Sequence, residues 1–131
     1  MQHDELAQFI NSWLKAWTGN DPEQLLSYYS NDALYIDPAN RDGLQGHNNI
    51  LPYFKKLLAA NPDWVWTLKE LFPTEKGATF KWHAKIPVGD LLVEETGLDI
   101  LEIESGKITR NEVYFDRTKL LSAMRKLKEN Q

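Results

Sequence analysis

The sequence predicts an α+β fold: a cone-shaped, curved and mostly antiparallel sheet, covered on its concave side by N-terminal helices and a third helix. Three observations predict it. From the N-terminus to Ala60, apolar residues recur mainly at three- and four-residue spacing, the mark of helices buried on one side. From Trp64 onward the period becomes two, which is the period of strands. Turn pairs, Gly89-Asp90 and Ser105-Gly106, punctuate the alternating part and predict hairpins.

The elements follow in order. Asp4 to Thr18 is predicted as a helix whose stripe is Leu6, Phe9, Ile10, Trp13, Leu14 and Trp17, with Gly19 as its C-terminal stop. Asp21 caps a second helix, Pro22 sits at its first position, and Gln24 can complete a capping box. Leu25, Leu26 and Tyr29 are its expected inner face. A strand over Ala33–Asp37 places Ala33, Tyr35 and Asp37 on one side and Leu34 and Ile36 on the other. Pro38 forbids its continuation as helix. Pro38 to Gly46 reads as a polar loop, a plausible cavity rim. Asn48 or Asn49 is expected to cap a third helix running to about Ala60, with Ile50, Leu51, Phe54, Leu57 and Leu58 buried. Pro52 falls in or near its first turn, where a missing amide costs least.

Four strands are then predicted. Trp64–Leu71 is followed by a turn over Phe72–Gly77, and Ala78–Val88 alternates Phe80, Trp82, Ala84 and Ile86 against Thr79, Lys81, His83 and Lys85. Leu91–Ile103 and Lys107–Phe115 complete the set. Asp116 can cap a final short helix carrying Leu120, Leu121, Met124 and Leu127. Such a sheet encloses a cone that Phe80, Trp82 and Phe115 would line.

Bulk properties narrow the function classes. The 131 residues suit one domain over 1–131. A net charge of −4 argues against a nucleic-acid binder, and the basic residues near the end read as a solvated helix face. With no cysteine, thiol chemistry and disulfides are excluded, which fits a reducing compartment; a cytoplasmic location is expected. The N-terminus has no signal-peptide pattern, and no apolar run approaches a membrane span. No phosphate-binding glycine loop, Ser–His–Asp signature or metal-ligand spacing among His3, His47 and His83 occurs, so no cofactor or metal is expected.

Two carboxylates stand out. Asp37 either begins an aspartate–proline turn, bonding the backbone that follows it, or is a general base at a cavity mouth open to solvent. Asp99 sits in Gly97-Leu98-Asp99-Ile100-Leu101, on the side of Leu101 and Ile103. A carboxylate there must find a partner or take up a proton. It is either a structural ion pair or edge-protecting inward charge, or a neutral acid that donates to a ligand oxygen. Two carboxyl groups with separated pKa values supply one base and one acid near neutrality.

Both aspartates carry a resemblance. The phrase Ser30-Asn31-Asp32-Ala33-Leu34-Tyr35-Ile36-Asp37-Pro38 is similar to the helix-to-strand phrase of the ketosteroid-isomerase and SnoaL-like branch of the nuclear-transport-factor-2-like superfamily. Gly97-Leu98-Asp99-Ile100-Leu101 with Ser105-Gly106-Lys107-Ile108 resembles the strand and hairpin bearing that branch's protonated aspartate. The resemblance spans nearly the whole chain. It implies Asp37 as catalytic base and Asp99 as the acid steadying an enolate oxygen. Counting back from Asp37, the family's oxyanion-hole tyrosine falls on Trp13, whose indole donates a single hydrogen bond. The limonene-epoxide-hydrolase branch is similar near Thr109 to Asp116, but its aspartate–arginine–aspartate set falls on His83, Lys85 and Val113.

The expected function is thus a pocket for a small apolar or carbonyl-containing molecule, lined by Trp13, Trp17, Tyr35, Phe54, Phe80, Trp82, Val113 and Phe115. Proton abstraction next to a carbonyl, as in an isomerase or cyclase, is the chemistry implied. The rival readings are a binder without turnover and a protein-interaction module. A homodimer through the outer sheet face, the row Thr79, Lys81, His83 and Lys85, is also expected.

Overall fold

The computed structural model describes residues 2–130. In chain order the elements are α1 (His3–Lys15), α2 (Pro22–Leu26), β1 (Tyr29–Asp37), β2 (Asn40–Gln45), α3 (His47–Ala60), β3 (Val65–Pro73), β4 (Gly77–Val88), β5 (Leu91–Glu104), β6 (Lys107–Tyr114) and α4 (Thr118–Glu129). The strands form a single curved sheet in the order β2-β1-β6-β5-β4-β3. Only β1 and β6 run parallel among these neighbours; the other pairs are antiparallel. The α+β architecture matches the prediction.

The sequence explains most of the elements locally. α1 buries Leu6, Ile10, Trp13 and Leu14, and Asp4 and Glu5 in its first turn favour the positive end of the helix dipole. Gly19, at φ 95°, turns the chain, and its amide donates to the Pro62 carbonyl (2.8 Å), tying the exit of α1 to the exit of α3. In α2 the Asp21 carboxylate accepts from the Gln24 amide at 3.1 Å, with Pro22 in the first turn. The inner face of β4 (Ala78, Phe80, Trp82, Ala84, Ile86, Val88) is buried throughout. That is the expected period of two.

Four expectations need correction. Tyr29 begins β1 instead of lying on α2. Ile108 donates its amide to the Tyr28 carbonyl (2.8 Å) and Lys107 donates to the Ser27 carbonyl (2.7 Å), so pairing with β6 overrides helical spacing. The stretch expected as loop contains β2, whose Leu44 and Gln45 pair with Tyr35 and Leu34. Its Asn-Arg-Asp-Gly composition has poor strand propensity, and it survives as a polar edge strand. α3 starts at His47 behind Gly46 (φ 85°) with no side-chain cap; Asn49 instead donates to the Gln45 carbonyl at 2.7 Å. β3 also runs on to Pro73, through part of the expected turn.

α1 lies over β3, while α3 lies over β1 and β2. Between them and the sheet sits the core, with Ile10, Leu25, Ile50, Phe54, Leu58, Phe80 and Leu101 fully buried. α4 crosses the far parts of β4 and β5, where Lys119 donates to the Glu94 carbonyl at 2.7 Å. Asp116 supports its start by accepting from the Thr118 amide and hydroxyl. No helix among the described residues is long and apolar enough to cross a membrane.

Candidate functional site

A cavity of about 290 Å³ lies between α1, α3, α4 and the inner face of the sheet. α1 contributes Trp13, and Trp17 follows just past its end; β1 contributes Tyr35 and Asp37, and α3 contributes Tyr53 and Leu57. Trp64 comes from just before β3 and Trp66 from its start, Trp82 from β4, Asp99 from β5, and Val113 with Phe115 from β6 and its exit. Leu120, Leu121 and Met124 of α4 and Arg117 just before it complete the wall. Eight of the ten residues predicted for the site are therefore on this wall, both aspartates included. Phe54 and Phe80 are not. Both are fully buried behind it. Phe54 packs edge-on against Trp17 and Tyr35 at 5.2 Å each, and Phe80 against Trp13 at 5.9 Å, so they hold the wall rings instead of meeting a ligand.

Asp37 is buried, at 6% exposure, rather than open to solvent. β1 ends there because Pro38 breaks the ladder, and the chain doubles back into β2 across the Asp37–Asn40 pair. One oxygen, Oδ1, accepts from the Ala39 amide, the Asn40 amide and the Asn40 side chain (2.9, 2.9 and 3.0 Å). The other, Oδ2, accepts from Tyr35 Oη at 2.8 Å and Tyr53 Oη at 2.5 Å. The turn role and the cavity position thus belong to the same side chain. Five donors are about as many as a carboxylate's lone pairs can take. Burial raises the pKa of both tyrosines, and their bonds to Asp37 add to the rise.

Asp99 is the opposite case. It is 3% exposed, and Oδ1 accepts from the Trp82 indole (2.7 Å) while Oδ2 accepts from the Asn111 amide nitrogen (2.8 Å). Burial pushes its pKa up to about 7; these two bonds oppose the rise and the charge of Asp37 adds to it. A chain of bonds fixes the orientation of Asn111. Trp13 Nε1 donates to Tyr29 Oη (3.3 Å), and Tyr29 Oη donates to Asn111 Oδ1 (2.8 Å). The Asn111 nitrogen is then left for Asp99. Neither it nor the Trp82 indole can accept a proton from Asp99. When Asp99 is protonated, its hydrogen has no acceptor in either neighbour and is available to a molecule in the cavity.

The same chain corrects the expectation for Trp13. Its indole forms part of the wall, but its N–H is spent on Tyr29 and is not offered to a ligand oxygen. Trp64 likewise gives its N–H to the Trp17 carbonyl at 2.6 Å. Trp66 Nε1 is buried with no partner among the described residues, its ring edge-on to Trp82 at 4.6 Å. Tyr53, Leu57, Trp64, Trp66, Asn111, Arg117 and the α4 residues are parts of the site that the sequence reading did not assign to it. For Tyr53 and Trp66 a signal existed: Tyr53 lies three residues after Ile50 and four before Leu57, and Trp66 lies two after Trp64. Asn111 shares the parity of Val113 and Phe115. Arg117 had none. Among the described residues no group of three or more His, Asp or Glu side chains is arranged to hold a metal ion.

With this geometry established, comparison places the chain among known proteins. The family model described as SnoaL-like domain matches residues 10–111. No curated protein matches the sequence. Solved structures share the fold at low identity. A hypothetical protein with a ketosteroid-isomerase-like fold from Catenulispora acidiphila, in complex with trimethylamine, is 18% identical with a TM-score of 0.78, covering 89% of this chain and 92% of that one. TerC, co-crystallised with polyporic acid, is 14% identical with a TM-score of 0.76, covering 92% and 98%. A putative SnoaL-like polyketide cyclase from a Jannaschia species is 9% identical with a TM-score of 0.75, covering 92% of each.

Proposed function

The chain belongs to the SnoaL-like domain family, and from that premise we propose that it binds a small, largely apolar, carbonyl-bearing molecule in the cavity and exchanges a proton with it. Asp99 is the acid. Its carboxyl, neutral below about pH 7, donates to the carbonyl oxygen and steadies negative charge that develops there. The observation that carries this reading is that both neighbours of Asp99 are pure donors at their contacting atoms, which leaves its proton for the ligand. Asp37 is the candidate base, but only after giving up one of its five bonds. Tyr53, the partly exposed member of the two tyrosines on Oδ2, is the donor a ligand would displace. Neighbours of the same fold crystallised with trimethylamine and polyporic acid are consistent with a cavity that admits small molecules.

Turnover of a panel of enolisable ketones and lactones, followed from pH 5 to 9, tests the assignment. We expect activity to decline as pH rises through about 7, where Asp99 loses its proton, and Asp99→Asn to abolish that decline. Activity independent of pH over this range in the wild type would remove Asp99 as the acid. A binder without turnover is the second reading, favoured by the full complement of donors on Asp37. Unchanged activity in Asp37→Asn would take away its role as base, and no activity on any substrate, with binding retained, would select the second reading.

The outer sheet face supports pairing of the chain with itself. Leu98 and Tyr114 are cross-strand partners there, 46% and 50% exposed, with Lys81 beside Leu98 and the ion pair of Arg110 with Glu112 near Tyr114. An apolar centre with a charged rim is the usual anatomy of an interface.

A further inference from the structure

Arg117 is the sole basic side chain on the cavity wall among the described residues. It lies between Phe115 and α4, partly buried. Its guanidinium forms no ion pair among the described residues, where every other arginine-bearing pair involves Arg110. Neither nearby carboxylate in the sequence or on the wall forms an ion pair with it. Asp116 accepts from the Thr118 amide and hydroxyl through Oδ1. Asp37 has its oxygens filled by five donors. The guanidinium is nonetheless close enough to Tyr53 to oppose the rise that Asp37 and burial impose on that phenol. It therefore stands near the Tyr53 and Asp37 side of the cavity with a planar fork of donors unspent.

Wall chemistry sets what the fork can meet. The indoles of Trp13, Trp64 and Trp82 have given their hydrogens to protein acceptors, and both tyrosine hydroxyls point at Asp37. Beside the neutral indole N–H of Trp66 and Asp99 in its protonated state, Arg117 is the charged donor that the wall has left. An arginine fork favours two oxygens in a plane that share a negative charge, as a carboxylate or an acidic enol supplies them. The rings around it favour a flat aromatic body.

We propose that Arg117 is a specificity-determining residue that binds an anionic oxygen group on a planar aromatic ligand whose body lies among the tryptophans. This rests on the reading of the cavity as a ligand site, though not on turnover. It assigns the ligand two polar ends, a charged one at Arg117 and a neutral acceptor directed at Asp99.

Isothermal titration calorimetry at pH 6 with a naphthalene carboxylate and the matching carboxamide tests it. The wild type is expected to bind the carboxylate at least about tenfold more tightly than the amide, the scale of a charge-assisted bond. Arg117→Met, which keeps much of the apolar stem, is expected to bind the carboxylate only as well as the amide and to leave the amide unchanged. Arg117→Lys should recover part of the preference. Equal affinity for the two probes in the wild type overturns the proposal without needing any variant to fold, and so does an equal loss of both in Arg117→Met. If the wild type binds neither, the cavity is not a site for such molecules, and the ligand reading falls together with this one. Amide binding without a carboxylate preference sinks the role of Arg117 alone.

Discussion

Burial raises the pKa of Asp99 in the fold against the pull of its two donors, and this has a thermodynamic consequence. In the unfolded chain its pKa is close to 3.9, and in the fold it is about 7. Between those values the folded state binds more protons than the unfolded state. The contribution of Asp99 to stability is therefore full below about pH 4 and is lost as pH rises towards 7, at about 1.4 kcal/mol per unit. Urea unfolding midpoints measured from pH 4 to 8 should fall relative to those of Asp99→Asn over that window. Parallel curves for the two proteins would mean that Asp99 does not titrate there. The position of Asp99 was legible from its apolar flanks, since a lone carboxyl on the Leu101 side of a strand has few places to go. Asp37 was legible only as a choice between a turn and a site, because a single sequence does not reveal that one carboxylate serves both. The engagement of Trp13 with Tyr29 and the free fork of Arg117 were not legible. Each depends on partners distant in sequence or on their absence.

At the scale of the element, β5 is where the site depends most on backbone. Gly97 lies opposite Trp82 on β4, and a Cβ built there would stand 2.4 Å from the Trp82 ring, 2.6 Å from the Tyr114 carbonyl oxygen and 2.8 Å from Phe115 Cβ. Close approach of the Trp82 ring and of the end of β6 to β5 at this point leaves the indole lying over β5, where it reaches Asp99. Gly97→Ala should cost about 1–3 kcal/mol by overpacking and lower the melting temperature by several degrees, measurable by circular dichroism. A melting temperature equal to that of the wild type would show that the strands can spread without loss. Strands β3 to β6 were readable from their alternation, because one face is buried and a shift of register would expose it. β2 was not, because an edge strand of Asn40, Arg41, Asp42 and Gly43 is shaped by its partner and not by its own preferences. The start of β1 at Tyr29 failed to show for the same reason, since its bracket comes from β6.

At the scale of the whole molecule, the two faces of the sheet have separate tasks in our reading. The inner face forms the cavity, and the outer face is proposed to pair two copies of the chain. Sedimentation velocity should find a dimer in the wild type and a monomer for Leu98→Lys combined with Tyr114→Lys, since a charge at each apolar centre position opposes burial. A wild-type monomer at micromolar concentration would remove that face as an interface. All five tryptophans of the chain stand on the wall of this cavity. The protein therefore has no indole elsewhere to dilute an optical signal, and its ultraviolet emission is in effect a readout of that space alone. Any guest that enters, even one with no colour of its own, should shift or dim the light the molecule gives off, so an unknown ligand can be sought without a label and without knowing in advance what it is.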